Sequence, residues 1–130
     1  MNRKADAIII GAGVIGSAIA FELAKRNYKT LNIDKLPTSG YGSTSNSCAI
    51  VRASDSTWDG VAMAYEGFFY WDDWADYLGV EDERGLIKYM KTGSILFKLQ
   101  GEDHSKKVLK FYEEIGVEYE IWDLEKLKQK

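Results

Sequence analysis

Three glycines, at positions 11, 13 and 16, stand between an isoleucine-rich run and a stretch of apolar residues at helical spacing. This spacing suits the binding of a diphosphate. Gly11 permits a tight turn, Gly13 lets the backbone approach the phosphates, and Gly16 allows a helix to pack closely on a strand. Unpaired N–H groups and the helix dipole favour negative charge at such a helix start. The sequence therefore predicts a turn that binds a dinucleotide.

An acidic residue stands where the ribose of that nucleotide would lie. Lys29 to Ile33 is typical of a short strand, and Asp34 follows it directly. A carboxylate there accepts hydrogen bonds from the adenosine ribose hydroxyls and disfavours a 2′-phosphate. The glycine spacing alone is a weak signal, whereas strand, turn, helix, second strand and acid in the right order are a strong one.

A β-α-β unit must position these residues. Ala5 to Ile10 predicts a buried strand, and Val14 to Arg26 predicts the helix that follows it. Asn32 is polar in a strand that is normally apolar on both faces, so we expect it near an edge or hydrogen-bonded. Two alternatives involve no nucleotide: a glycine-rich turn that only packs helix on sheet, and a signal peptide or membrane anchor over Ala7 to Ala24. The anchor fits poorly, because no unbroken apolar run reaches about 18 residues.

Composition narrows the class of protein. The 130 residues fit one small domain, and 45% apolar with 28% charged residues is ordinary for a soluble protein. A net charge of −3 with mixed signs argues against nucleic acid or anionic lipid as a partner. Cys48 is the single cysteine, so no internal disulfide can form, and we expect a cytoplasmic protein. His104 is the single histidine; we expect it exposed at a helix start and predict no metal site.

The remainder of the chain predicts further elements of both kinds. They are an aromatic amphipathic helix over Gly60 to Leu78, two strands over Ile87 to Leu99, a helix over Asp103 to Ile115, a strand over Val117 to Ile121, and a last helix beginning at Asp123.

A second motif follows the acid. It is the loop Gly40-Tyr41-Gly42-Ser43-Thr44-Ser45-Asn46-Ser47, continued by Cys48-Ala49-Ile50-Val51-Arg52. With Ile8-Ile9-Ile10-Gly11-Ala12-Gly13-Val14-Ile15-Gly16 and Asp34, it makes the chain similar to the amino-terminal part of the D-amino-acid-oxidase-like flavoproteins, which include sarcosine oxidase, dimethylglycine dehydrogenase and glycine oxidase. The resemblance covers the whole chain but is specific only from residue 5 to 52. The hydroxyl-rich loop favours FAD over NAD as the cofactor.

The resemblance implies which residues contact FAD. The pyrophosphate would lie on the glycine turn, the adenosine on the acid and its neighbour, and the hydroxyl loop would run towards the flavin. The alternative for that loop is an ordinary serine-rich surface loop. The implied cofactor-binding residues are Gly11, Gly13, Val14, Ile15, Gly16, Asp34, Lys35, Ser43, Thr44, Ser45, Asn46 and Ser47.

Arg52 is a candidate for binding substrate. In sarcosine-oxidase-like members, an arginine at the matching place helps to hold the substrate carboxylate, which a planar guanidinium engages through two parallel hydrogen bonds. A salt bridge within the fold is the alternative. Two departures from the family pattern are mild: Asn27 stands where Gly is usual, and Asp34 where Glu is common. Nothing around Cys48 matches a motif for covalent flavin attachment.

The predicted fold class is α/β, with the first β-α-β unit of an FAD-binding Rossmann-type domain in residues 1–58. Residues 59–130 would begin an α+β substrate domain. A doubly wound sheet normally has five or six strands, whereas only two predicted parallel strands precede Asp34. We therefore expect a fragment, or one subunit of a split enzyme.

The resemblance implies that the parent protein oxidises an amine or amino acid by hydride transfer to FAD, and we expect this chain alone to be inactive. No residue of the chain is assigned as catalytic. The alternatives are an NAD-dependent dehydrogenase fragment and a non-catalytic nucleotide-binding subunit. Expected partners are the small substrate and the remaining polypeptide or a partner subunit, with no nucleic acid and no membrane span. The helix over 60–78 could also form an oligomer interface.

Overall fold

The computed structural model describes residues 4–80, 83–98 and 101–129. The chain forms two compact units, Met1–Ile50 and Val51–Lys130. The division into two functional domains after residue 58 stays a prediction.

The first unit contains a parallel β-α-β motif. Strand β1 is Ala7–Ile10, helix α1 is Val14–Lys25 and strand β2 is Thr30–Ile33. The strands pair in parallel, with Ala7 opposite Thr30. Parallel neighbours need a crossover connection, which α1 supplies here. The predicted β-α-β unit is therefore confirmed.

A residue with left-handed backbone lies two positions after the end of helix α1. Asn27 has φ 65°, and its N–H donates to the Ala24 carbonyl at 2.9 Å. Asn tolerates this conformation better than most side chains, which explains how it can replace the usual Gly. Asn32 on β2 is hydrogen-bonded as expected, because its side-chain amide donates to the Gly16 carbonyl at 3.3 Å.

The prediction that the first strand is buried was wrong for most of its length. Ile9 is 9% exposed, whereas Ile8 is 62% and Ile10 is 89% exposed. Among the described elements, β2 and α1 pack against β1. A strand buried on both faces needs helices on both sides of its sheet, and the described residues place one helix there.

The second unit is helical. Its helices are α2, Trp58–Asp72; α3, Trp74–Leu78; α4, His104–Ile115; and α5, Leu124–Lys128. The single helix predicted over 60–78 begins two residues earlier and is interrupted at Asp73, whose φ of −111° and ψ of 42° leave the helical region.

Local caps explain where these helices begin and end. The Thr57 hydroxyl accepts a hydrogen bond from the Gly60 N–H at 3.2 Å, which starts α2. The Asp123 carboxylate accepts from the Lys126 N–H at 2.8 Å, which starts α5 as predicted. Gly116, with φ 88°, ends α4.

Helices α2 and α4 pack together and form a small core. Val61 on α2 is fully buried and Val108 on α4 is 7% exposed. The Tyr65 hydroxyl donates to the Gly116 carbonyl at 3.2 Å, joining α2 to the end of α4.

The strands predicted over 87–99 and 117–121 do not form among the described residues, and Leu99 lies outside them. A strand needs a neighbour for its N–H and C=O groups, and the described part of this unit provides no sheet edge. Ile95 is 62% and Phe97 82% exposed as a result. Among the described residues, no helix combines the length and apolar character that a membrane crossing requires.

Candidate functional site

The glycine turn connects β1 to α1 through a conformation that requires glycine. Gly11 has φ +106°, and its N–H donates to the Ile33 carbonyl at 2.7 Å, which ties the turn to the end of β2. A Cβ added to Gly16 would lie 1.9 Å from the Gly11 carbonyl oxygen. The first turn of α1 therefore packs directly on the backbone of the glycine turn.

The hydroxyl-rich loop reaches this turn through Thr44. Its Oγ1 accepts a hydrogen bond from the Val14 N–H at 2.9 Å. A Cβ added to Gly13 would lie 2.9 Å from the same oxygen, so only glycine leaves room for the hydroxyl. Because Oγ1 accepts this bond, its own hydrogen remains able to donate to another acceptor. The structure thus brings the two predicted motifs together.

The backbone of the loop is fixed by hydrogen bonds to the turn and within itself. The Gly40 N–H donates to the Ala12 carbonyl at 2.8 Å. The Gly42 carbonyl accepts from the Ser45 hydroxyl at 3.1 Å and from the Asn46 side-chain amide at 2.9 Å. An ordinary serine-rich surface loop would lack such hydrogen bonds to the glycine turn. Ser43, Ser45, Asn46 and Ser47 are all exposed.

Asp34 stands at the end of β2 and turns towards the glycine turn. Its Oδ2 accepts from the Ala12 N–H at 2.7 Å, and its Oδ1 accepts from the Leu36 N–H at 2.8 Å. These bonds, that from Ala12 first, hold the pKa of the carboxyl below its ordinary value, and Lys35 contributes a smaller effect in the same direction. Each oxygen keeps a further lone pair, so the carboxylate can still accept bonds from ribose hydroxyls.

The start of α1 leaves backbone donors for an anion. The helical hydrogen bonds begin with the Ser17 N–H, which donates to the Gly13 carbonyl at 2.9 Å. The amides of Ile15 and Gly16 precede this first bond, while that of Val14 is taken by Thr44. Such amides, close to backbone without Cβ atoms, suit a diphosphate. The residues present therefore fit the nucleotide group that the sequence motifs imply.

The predicted cofactor-binding residues all belong to the first unit, whereas Arg52 belongs to the second. Arg52 is exposed, and its charge is the smallest of the causes that lower the pKa of Asp55. His104 is exposed and opens α4, as predicted. Among the described residues, no group of His, Cys, Asp and Glu side chains could hold a metal ion.

Sequence reasoning missed two residues that contribute to the site through their backbone. Ala12 donates to Asp34 and accepts from Gly40, and Leu36 donates to Asp34. They act through main-chain atoms, so their side chains give no signal. The only sequence feature that points to a role for Ala12 is its position between Gly11 and Gly13.

Comparison with known proteins identifies the family. The model of the family described as FAD dependent oxidoreductase, DAO, matches residues 6–130. The chain belongs to this family. A glycine oxidase from Geobacillus kaustophilus (strain HTA426) is 42% identical to it over 53 residues, which are 41% of this chain and 14% of that protein. No solved structure matches the chain significantly.

Membership of the DAO family bears on the choice between cofactors. The family is FAD-dependent, which favours FAD over the nicotinamide alternative. The chain spans a small part of the length of its glycine oxidase relative. The β-α-β unit with its glycine turn is consistent with the start of an FAD-binding domain of this family.

Proposed function

We propose that this chain is the FAD-binding portion of a DAO-family enzyme that oxidises an amine or amino acid. The substrate carbon would lose a hydride equivalent to the flavin. FAD supplies the redox chemistry when bound, whereas the polypeptide supplies binding, orientation and electrostatics. The chain alone would be inactive, and the remaining polypeptide or a partner subunit would complete the substrate pocket.

The junction of Thr44 with the glycine turn carries this proposal. The Val14 amide orients the Thr44 hydroxyl at 2.9 Å, so that its hydrogen can donate to a phosphate oxygen. The amides of Ile15 and Gly16 would bind the same diphosphate at the start of α1. An NAD site needs the glycine turn and the acid but has no use for this loop.

The other residues of the first unit would bind the two ends of FAD. Asp34, kept ionised by its two backbone donors, would accept hydrogen bonds from the adenosine ribose, with Lys35 beside it. The exposed polar side chains of the loop would lie along the phosphates towards the flavin. These are Ser43, Ser45, Asn46 and Ser47.

Arg52 would anchor the carboxylate of an amino-acid substrate. It is exposed, and a guanidinium can form two parallel hydrogen bonds to a carboxylate. Such a clamp would fix the Cα–H bond of the substrate relative to the flavin. The name of the glycine oxidase relative agrees with a small amino-acid substrate, over the limited stretch that the two chains share.

The direct test is to purify the protein encoded by the complete reading frame and examine its cofactor. We expect visible flavin absorbance and release of FAD on denaturation, with reduction of that absorbance by an amine or amino acid. The separate 130-residue chain should quench flavin fluorescence when titrated with FAD, and its Gly16→Ala variant should not. Reduction of NAD instead, with no flavin in the complete protein, would overturn the proposal.

A further inference from the structure

A cavity of about 360 Å³ lies on the surface formed by α2 and α3, within the second unit. All of its lining residues belong to the second unit, and no step of the proposed oxidation uses it. We refer to it as the aromatic-acid cavity. Its lining residues are Glu66, Phe69, Tyr70, Asp73 and Tyr77.

The aromatic-acid cavity lies on the outer face of α2. At 100° per residue, Glu66, Tyr70 and Asp73 fall on the side of the helix opposite Val61, which is fully buried. Met63, on the same outer side, is 78% exposed, and Phe69 is 57% exposed. The surface around the cavity is therefore apolar as well as acidic.

The segment that carries the cavity is acidic throughout. Residues 58–78 contain no Lys and no Arg, and their acidic residues are Asp59, Glu66, Asp72, Asp73 and Asp76. Lys91 forms an ion pair with Asp72, which falls on the Val61 side of α2 and is not one of the residues that line the cavity. Among the described residues, no Lys or Arg forms an ion pair with Glu66 or Asp73.

The rings of the cavity are held by their neighbours. Tyr70 and Tyr77 meet edge to face, with centroids 5.1 Å apart, and Tyr77 contacts Trp74 at 5.4 Å. Trp74 in turn stacks on Trp71 at 4.8 Å. Aromatic faces are electronegative and attract cations, so the rings and the two carboxylates favour the same kind of ligand.

We propose that the aromatic-acid cavity docks an arginine side chain carried by a segment of another polypeptide. The planar guanidinium can stack on a ring while donating to Glu66 and Asp73, which an ammonium group cannot do as well. A free small cation would gain little from carboxylates as exposed as these. A polypeptide also covers Met63 and Phe69, and protein interfaces are enriched in such aromatic residues, in Met and in Arg.

The test uses the 130-residue chain and a soluble peptide with one arginine flanked by leucines. The matched peptide carries citrulline, which keeps the shape of arginine without its charge. Binding is followed by calorimetry and by the fluorescence of the tryptophans next to the cavity. The variant Glu66→Gln/Asp73→Asn removes both carboxylates, and Glu114→Gln/Glu118→Gln removes two charges outside the cavity as a control.

We expect the arginine peptide to bind about fivefold or more tightly than the citrulline peptide, and salt to weaken it. Glu66→Gln/Asp73→Asn should abolish this difference, whereas the control variant should retain it. Tyr70→Phe should bind like the original chain and Tyr70→Leu more weakly, which separates a cation–ring contact from a general apolar one.

Three results would overturn the proposal. One is equal affinity for the arginine and citrulline peptides. Another is equal affinity for the peptide and for free methylguanidinium, which would indicate a small-cation site. The third is self-association of the chain that Glu66→Gln/Asp73→Asn abolishes in sedimentation experiments, which would make a second copy the occupant. Circular dichroism of each variant establishes that it folds before its binding is interpreted.

Discussion

The Thr44 hydroxyl and the Val14 amide are joined by a hydrogen bond of 2.9 Å across thirty residues of sequence. Gly13 stands at the N-cap position of α1 and has no side chain that could accept a hydrogen bond there. Thr44, from the hydroxyl-rich loop, supplies this cap instead. A Cβ on Gly13 would lie too close to this hydroxyl, so the Thr44 contact requires glycine at position 13. The loop and the turn therefore depend on each other.

Thr44→Val should weaken FAD binding and destabilise the first unit. Valine keeps the shape of threonine but neither accepts from the Val14 amide nor donates to a phosphate. Loss of a helix cap lowers the free energy of unfolding by about 0.5–2 kcal/mol. Val14 is 56% exposed, so water can replace the lost partner of its amide, and we expect a value near the lower end. Denaturation and FAD titration measure the two effects. Thr44→Ser should preserve both, and equal FAD affinity for the valine and serine variants would contradict the role given to the hydroxyl.

Gly16→Ala should disrupt the glycine turn, because its Cβ would overlap the Gly11 carbonyl oxygen at 1.9 Å. Forced overpacking of this kind typically costs about 1–3 kcal/mol. Gly67→Ala is the matched control, since a Cβ at that position of α2 meets nothing within 4 Å. It should stabilise the second unit by about 0.5–1 kcal/mol. If Gly16→Ala were as stable as the control and bound FAD, the described packing would be wrong.

Asp34→Asn should weaken FAD binding while leaving the secondary structure in place. The asparagine oxygen can accept from one of the two backbone donors, Ala12 or Leu36, but its NH₂ group cannot accept from the other. Asp34→Glu, which has the longer carboxylate common in the family, should restore binding in part. FAD titration of the three proteins, with circular dichroism as the folding control, distinguishes them. Unchanged affinity in Asp34→Asn would remove the carboxylate from the site.

The lowered pKa of Asp34 also predicts how stability depends on pH. The folded carboxyl binds its proton less readily than the unfolded one, so its contribution is fully present above about pH 4. That contribution is lost as the pH falls through the folded pKa. Acid denaturation should therefore be steeper for the original chain than for Asp34→Asn. Parallel acid denaturation curves would show that the two backbone donors do not favour the ionised form.

Arg52→Lys in the complete protein should raise KM for amino-acid substrates, with less effect on amines that lack a carboxylate. Lysine keeps the charge but cannot form the two parallel hydrogen bonds of a guanidinium. Loss of such a pair reduces affinity by roughly tenfold. Lys128→Arg, outside both the proposed substrate contact and the proposed FAD site, serves as a control for a change of basic side chain. An unchanged KM for every substrate would remove Arg52 from the proposed substrate site.

The sequence predicted the first unit well because its signals are local. Glycine spacing, helical periodicity and the terminal acid each act within a few residues, and the β-α-β unit formed with its boundaries shifted by one or two positions. The hydrogen bond between Thr44 and the glycine turn was not predicted, because the family resemblance implied only that the loop runs towards the flavin. The partner of Thr44 is a backbone amide, which no side-chain pattern reveals.

The strand predictions at 87–99 and 117–121 depended on partners that the sequence does not name. Alternating apolar residues favour a strand, but pairing decides whether one forms, and the described part of the second unit offers no sheet edge. The break at Asp73 is similar. Periodicity continues across it from Trp71 to Leu78, so the pattern predicts one helix where two form.

Asn32 illustrates a hazard for anyone who would stabilise this protein by substitution. A designer would replace it with valine, the better strand residue, because it sits in β2. Its side-chain amide, however, donates a hydrogen bond to the Gly16 carbonyl and links β2 to the first turn of α1, next to the glycine turn. The substitution Asn32→Val would therefore remove the hydrogen bond to Gly16, next to the glycine turn whose backbone has to keep its position.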